Sequence, residues 1–495
     1  MPATPTPSVH ELRTHFETIL EGVLSAEAQT VSADTMERQL LRQLLALGRA
    51  LFAVFLATRA AATAAEVDRD PAGVERPYHS ERTRPYLSIF GRVVFARPYF
   101  YRKGVGGATP VDALLSLPTT TCSDLVRETA EELGVEGAYH KGLGVLRRLL
   151  GVELSTRTLQ EQVAEDAPEG AAFYAQQAPP PVTEEATILV VQADGKGVPI
   201  LRPSATEAPV RLGKGQKHGG KKEATLTAIY TIAPARRTPE AVVESLFAAG
   251  PARAGQKERT GPRQKECTGP QGKRLWATLA GKDAALAAAA HGVAARDGTH
   301  ITHRVALTDG SQALQERVQR QFPTFTLVLD LIHATEYLWK AANALLGETN
   351  ARRTAWVKAR TLQLLRSQSA AVVADLRHLA QTSGRPRRAR TVLTKVAAYL
   401  ERNAPYMRYA AYLAWGWPIA TGVIEGACRH VVKDRCEQSG MRWTIAAPRP
   451  SYTSAAYMRT GTGTPFTLSD ADGATSGSTP CPIPTKRWPR STCPR

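Results

Sequence analysis

Aromatic side chains make up only 6% of this 495-residue chain, and cysteine is confined to six widely spaced positions, 122, 267, 428, 436, 481 and 493. So few cysteines exclude a disulfide-dense secreted scaffold, and the lack of any C-x2-C pair excludes metal-finger spacing. Acids are in deficit as well: 45 Asp and Glu face 63 Lys and Arg, a formal charge of +18. That surplus points to a polyanionic partner, nucleic acid ahead of a membrane surface. No charged segment followed by an apolar run opens the chain, so no signal peptide is expected. The most apolar stretch, Leu44 to Ala65, carries Arg49 and Arg59 and reads as a buried helix rather than a membrane span. The remainder is ordinary for a globular protein, 43% hydrophobic and 22% charged, with length enough for two to four domains.

Apolar residues at three-to-four spacing, Leu40, Leu41, Leu44, Leu45, Leu47, Leu51 and Val54, predict a helical N-terminal region over 1–84. The alternation of Pro85 to Tyr101 around Gly91 predicts a β-hairpin. Helix returns over 111–166. There Leu143 to Leu150, the break at Gly151 and a fresh start at Ser155 resemble a helix-turn-helix, with Ser155 as cap and Arg157, Thr158, Gln160 and Gln162 pointing outward. The pair either contacts DNA or packs as a plain αα-hairpin; with the β-hairpin it makes up a region over 85–177. Ala178 to Pro181 is a linker. Beyond it, strands are predicted at 186–194, 224–232, 304–307 and 325–330, with helices at 281–295, 311–321 and 334–346. The expected class is therefore mixed α/β. The segment 250–273 holds a tandem octapeptide, Gly255 to Pro262 and Arg263 to Pro270, and reads as a disordered basic loop.

Two carboxylates stand at strand ends, each followed by glycine: Asp194 and Asp309. The C-terminal edge of an open α/β sheet is where ligands bind, and two such acids with a third can hold two Mg²⁺ or Mn²⁺ ions for phosphoryl transfer. Hard oxygen ligands, with no Cys/His pairing, count against zinc. Each Asp-Gly is equally a simple turn. The pattern alone does not choose a third acid: Glu425 lies on a helix whose inner side carries Ile424, Cys428 and Val432, and is either that acid or a surface acid paired with Arg429 one turn on.

Five ordered motifs carry a resemblance. They are Val190 to Pro199 (VVQADGKGVP), Arg211 to Gly215 (RLGKG), Leu307 to Ser311 (LTDGS), Asp330 to Trp339 (DLIHATEYLW), and Gly422 to Gly426 (GVIEG) followed by Ser439 to Trp443 (SGMRW). Over residues 85 to 446 the chain resembles the ISKra-type insertion-sequence transposases, relatives of the Mutator-like group. The resemblance implies an RNase H-like catalytic domain over 178–446 with a helical insert at 340–415. It also implies an Asp-Asp-Glu triad with two divalent ions, and terminal-inverted-repeat and target DNA as substrates. Asp194 and Glu425 would be the first and third acids. The second is Asp309, with Asp330 of the Asp330-Leu-Ile-His333 motif as the alternative. His333 would orient a carboxylate or a phosphate, or else be a hydrogen-bonded core histidine. Lys214, Lys217, Lys221 and Lys222 form a basic patch that clamps phosphates or is a solvated turn. Arg442 would contact a phosphate, and Trp443 either stacks on a base or packs the helix end. A dimer or larger assembly, a cytoplasmic, nucleoid-associated location and no membrane partner complete the expectation.

From Pro448 to Arg495 the pattern collapses into Pro, Thr, Ser and Gly without period. Read from the third base of the Arg459 codon, the bases encoding Thr460 to Thr467 permit Asn-Gly-Asp-Trp-Asp-Ala-Phe-His. In the same register, Arg449 to Tyr452 permit Ala-Val-Leu. The expectation is a frameshift near codon 447, with 447–495 an out-of-frame, disordered tail. The alternative function is then an inactive transposase remnant that acts at most as a DNA-binding protein.

Overall fold

The computed structural model describes residues 6–63, 67–70, 72–176, 178–200, 220–248, 269–382, 384–437 and 443. The expected tail, most of the basic loop, and Lys214, Lys217 and Arg442 lie outside the described residues. The chain is mixed α/β with two sheets and divides into two compact units; the described parts of the first fall within Met1–Ser88 and Arg92–Asp124.

In the first unit, α1 (Val9–Leu24) packs on α2 (Ala33–Ala62). A Ser8–Glu11 capping box opens α1, each side chain taking the other's backbone N–H. A four-stranded sheet follows, β1 (Val67–Arg69), β2 (Glu75–Ser88), β3 (Gly91–Arg102) and β4 (Gly106–Ala108), then α3 (Pro110–Leu114). The two-residue turn between β2 and β3 makes the hairpin expected around Gly91, whose φ is +110°. The expectation of a buried helix over 44–65 needs correction. Only Ala53, Leu56 and Ala60 of α2 are buried, against Tyr86, Val93, Phe95 and Val111. The sheet covers one face of α2, while Leu44, Leu51 and Phe55 on another face are about half exposed. By length and composition alone, α2 is apolar enough to cross a membrane.

The second unit begins with α4 (Asp124–Glu136), α5 (Tyr139–Leu150) and α6 (Thr156–Gln176). Gly151 ends α5 with φ +67°, and the Ser155 hydroxyl accepts the Thr158 N–H, so the break and cap fall where the sequence put them. Arg157 and Gln160 are exposed, but Gln162 is buried, 3% exposed, which corrects its expected outward face: it shares the inner side with Leu159 and Val163.

A five-stranded sheet forms the centre: β5 (Ile188–Pro199), β6 (Lys221–Ile232), β7 (Gln271–Thr278), β8 (His303–Thr308) and β9 (Thr326–Leu329), in the order β7-β6-β5-β8-β9. β6 runs antiparallel to β5 and to β7, while β5, β8 and β9 are parallel. Strand β7 was not expected. Its Gln271–Lys273 belonged to the basic loop by sequence, yet they form the start of the edge strand, with Gln271 paired to Thr231 and a register shift before Arg274, at an edge where lysine and arginine are tolerated. Helices α7 (Pro239–Phe247), α8 (Lys282–Ala294) and α9 (Gln312–Gln321) connect the strands. α10 (Leu331–Leu346), α11 (Arg352–Leu365), α12 (Ser369–Gln381), α13 (Arg387–Asn403) and α14 (Tyr409–Trp415) form the helical stretch, and α15 (Gly422–Ala427) follows. Both sheet faces are covered, which is why β5 reads as one apolar run: Ile188 and Val190 join the core with α10–α14, Leu189 and Val191 that with α8 and α9.

Candidate metal centre at the sheet edge

The carboxylates converge at the C-terminal ends of the three parallel strands. In β5 and β8 the last paired residues are Gln192 and Leu307; Asp194 and Asp309 each lie two residues further on. Asp194 does not end its strand, as the sequence implied. β5 continues to Pro199 against β6, with Gly195 facing Thr225, so Asp194 sits where the parallel ladder stops and a hairpin goes on. A Cβ on Gly195 would come within 2.9 Å of the Glu223 side chain, which excludes larger residues there without adjustment.

Asp194 Oδ1 accepts the Gly195 N–H at 2.6 Å and Oδ2 the Cys428 thiol at 3.3 Å. Burial raises its affinity for protons, and neighbouring Asp309 adds to the rise. Partial desolvation of its carboxylate and the proximity of Asp330 and Asp194 do the same for Glu425, although the residue as a whole faces solvent. The Cys428 thiol is pushed well up by burial and by Asp194, so it stays protonated and donates. Asp309 Oδ1 takes the Ser311 N–H at 2.9 Å, so the Asp-Gly turn and the placement of an acid are one feature. Gly310 holds φ +87°, and a Cβ there would meet the Tyr399 hydroxyl at 2.5 Å.

Asp330 is fully buried and caps α10. Its Oδ1 accepts the Ile332 N–H at 2.9 Å; Oδ2 accepts His333 Nδ1 at 2.8 Å and the Thr421 hydroxyl. Thr421 lies 3.4 Å from Glu425 Oε1, linking the two acids through one hydroxyl. Asp330, His333 and Glu425 each offer a ligand atom within 4.8 Å of the others, a group that can hold a metal ion. Glu425 is exposed on the expected helix, which runs without a gap from Gly422 through a π-helical turn at Cys428–Lys433 to Cys436, with Ile424, Cys428 and Val432 buried on its inner side. Arg429 lies 3.9 Å from Asp434.

The Asp330 hydrogen bond and charge raise the pKa of His333 from 6.5 to about 9. A raised folded pKa means the pair stabilises fully below pH 6.5, and the contribution fades as pH rises through about 9. In EDTA, NMR titration of His333 should therefore show a midpoint near 9, returning toward 6.5 in Asp330→Asn. A midpoint near 6.5 in the unaltered chain would overturn the assignment.

Three parts of the site escaped sequence reasoning. Gln192 is fully buried; its amide donates to the Tyr230 hydroxyl at 2.9 Å and its oxygen accepts the Ile424 N–H at 2.9 Å, tying α15 to β5. Thr421 is the second. The third is the end of α13: Tyr399 donates to the Asp309 carbonyl at 2.9 Å, Arg402 to that of Gly310 at 3.0 Å, and Tyr399 stacks on Tyr337 at 3.7 Å. No local pattern marks them, because apart from Glu425, four residues after Thr421, their partners are distant in sequence.

Of the expected DNA-binding residues, Arg157, Gln160, Lys221, Lys222 and Trp443 are among those described. Lys221 is exposed and pairs with Glu437, and Lys222 lies opposite Val198 on β6. Trp443 is buried, 8% exposed, edge-on to Tyr139, with its N–H on the Cys436 carbonyl at 3.2 Å and Arg435 over its ring. Of its two expected roles, the structure gives it packing. No protein-family model and no curated protein matches this chain.

Proposed function

We propose that the chain is a DNA transposase of the ISKra type, cutting and rejoining DNA at terminal inverted repeats through an RNase H-like core with two Mg²⁺ or Mn²⁺ ions. The observation that carries the reading is that Asp194 and Asp309 stand just beyond the last pair of two neighbouring parallel strands, with Asp194 close enough to feel both Asp309 and Glu425. An RNase H-like core with such a triad sets its first- and fourth-strand acids side by side, and β5 and β8 are parallel neighbours. The raised proton affinity of Asp194 and Glu425, due first to burial and then to neighbouring acids, fits a partly desolvated cluster whose charge a cation would offset.

Asp194, Asp309 and Glu425 would hold the ions. Asp309 is favoured over Asp330 as second acid because Asp330 is fully buried and accepts three hydrogen bonds, whereas Asp309 is partly exposed and accepts the Ser311 N–H on one oxygen. Asp330 then positions His333 and, through Thr421, Glu425. When bound, divalent ions stabilise the charge developing on the attacked phosphate and its entering and leaving oxygens. A protonated His333 beside the acids favours approach of a phosphate. Lys214, Lys217, Lys221, Lys222, Arg157, Gln160 and Arg442 would supply phosphate and groove contacts, consistent with the +18 charge. Joining two DNA ends calls for at least two copies of the chain.

The out-of-frame reading of 447–495 favours a second reading, a remnant disabled by its tail. One assay separates them: cleavage of a labelled duplex carrying the element's own ends, with Mg²⁺ and with EDTA, by this chain and by a version with its frame restored after codon 446. Mg²⁺-dependent cleavage by both supports an active transposase, and cleavage by the restored chain alone supports the remnant. Cleavage by neither sinks the catalytic reading.

A further inference from the structure

Helix α13 carries a feature that the triad does not use. Its N-terminal half presents Arg387, Arg388, Arg390, Thr391, Thr394 and Lys395 to solvent. Five of these, all but Arg388, line an open groove of about 520 Å³. Cations at the start of a helix face the positive end of its dipole and are disfavoured there. Here the first turn holds no acid. The acid that α13 itself carries, Glu401, lies in its last turn and is engaged by Arg377. Among the described residues no acid pairs with Arg387, Arg390 or Lys395, and a helix that gathers such charge at its positive end gains most from a polyanion.

The C-terminal half of the same helix is fixed to the acid cluster. Arg402 holds the Gly310 carbonyl and Tyr399 that of Asp309, while Gln315 holds Asn403 at 2.8 Å. Thr391, Lys395 and Arg402 recur at four and seven residues and share one exposed stripe, while Leu393, Val396 and Leu400 face the core. From Arg402 to Arg387 the axis runs about 22 Å, or six to seven base pairs of duplex.

We propose that this stripe of α13 is a phosphate track for duplex DNA, leading the strand away from the acid cluster. It deepens the transposase reading and rests on it for the choice of duplex DNA. The track supplies grip and register with no base readout.

The test measures binding of random-sequence duplex DNA by fluorescence anisotropy, in EDTA and in an Asp194→Asn background, across a salt series. Arg387→Ala/Arg390→Ala/Lys395→Ala should lower the log–log salt slope by about 2 to 3 and affinity at least ~10-fold, three phosphate contacts each contributing about 0.9 to the slope. The version with Arg387→Lys and Arg390→Lys should keep the slope, which separates lost charge from lost folding. A slope unchanged by the triple substitution overturns the track. So does tighter binding of phosphatidylserine vesicles than of DNA through the same residues. If the slope falls but no variant of the chain ever cleaves with Mg²⁺, the transposase reading fails while the track stands.

Discussion

Asp194→Asn should lower Mg²⁺-dependent strand cleavage by the frame-restored chain by at least ~10²–10³-fold, the scale of losing one preorganised electrostatic contact to a transition state. The substitution keeps the shape and one oxygen that can accept the Gly195 N–H, so the fold should survive. Stability without metal should move the other way. Burial and, after it, Asp309 raise the cost of ionising Asp194, and Asp194 in turn opposes ionised Glu425. Removing one charge relieves both repulsions, so urea denaturation in EDTA should find the variant as stable as the parent or slightly more so. The proton affinity of Glu425 should fall as well. Loss of activity together with loss of stability would mean that Asp194 is structural.

Gln192→Leu should be the most damaging change to the fold near the site. Leucine fills similar space but strands the Tyr230 hydroxyl and the Ile424 N–H, both buried. Each orphaned group costs about 1–3 kcal/mol, so the variant should lose roughly 2–6 kcal/mol. Adding Tyr230→Phe removes one orphan and should restore about 1–3 kcal/mol of that loss. The Ile424 bond lies next to Glu425, so cleavage should drop further than stability explains. A Gln192→Leu variant within 1 kcal/mol of its parent would show that the tie between β5 and α15 contributes little.

Legibility followed how local each signal was. The runs at Ile188 to Ala193 and Thr326 to Leu329 were readable because strands covered on both faces need an unbroken apolar sequence. Gly151 and Ser155 were readable as a stop and a cap from their own backbone demands. The strand β7 was not, because edge position lets basic residues into a strand and hides the alternation. The exposure of Leu44, Leu51 and Phe55 was not, because hydrophobic spacing says that a face wants burial without saying what covers it. At the site, the acids were legible through motif and strand end. The parts that hold them were not: Gln192 and Ile424 are 232 residues apart, and Tyr399 lies 90 residues from Asp309. The fully buried, doubly engaged state of Asp330, which argues for a positioning role, also emerges only from the fold.

The central claim is that Asp194, Asp309 and Glu425 form a divalent-metal site, and Mn²⁺ titration followed by electron paramagnetic resonance tests it without DNA and regardless of the tail. The chain should take up two ions that Mg²⁺ displaces, with binding reduced in Asp194→Asn, Asp309→Asn and Glu425→Gln. Binding unchanged by all three substitutions, or no saturable binding at all, would contradict the account.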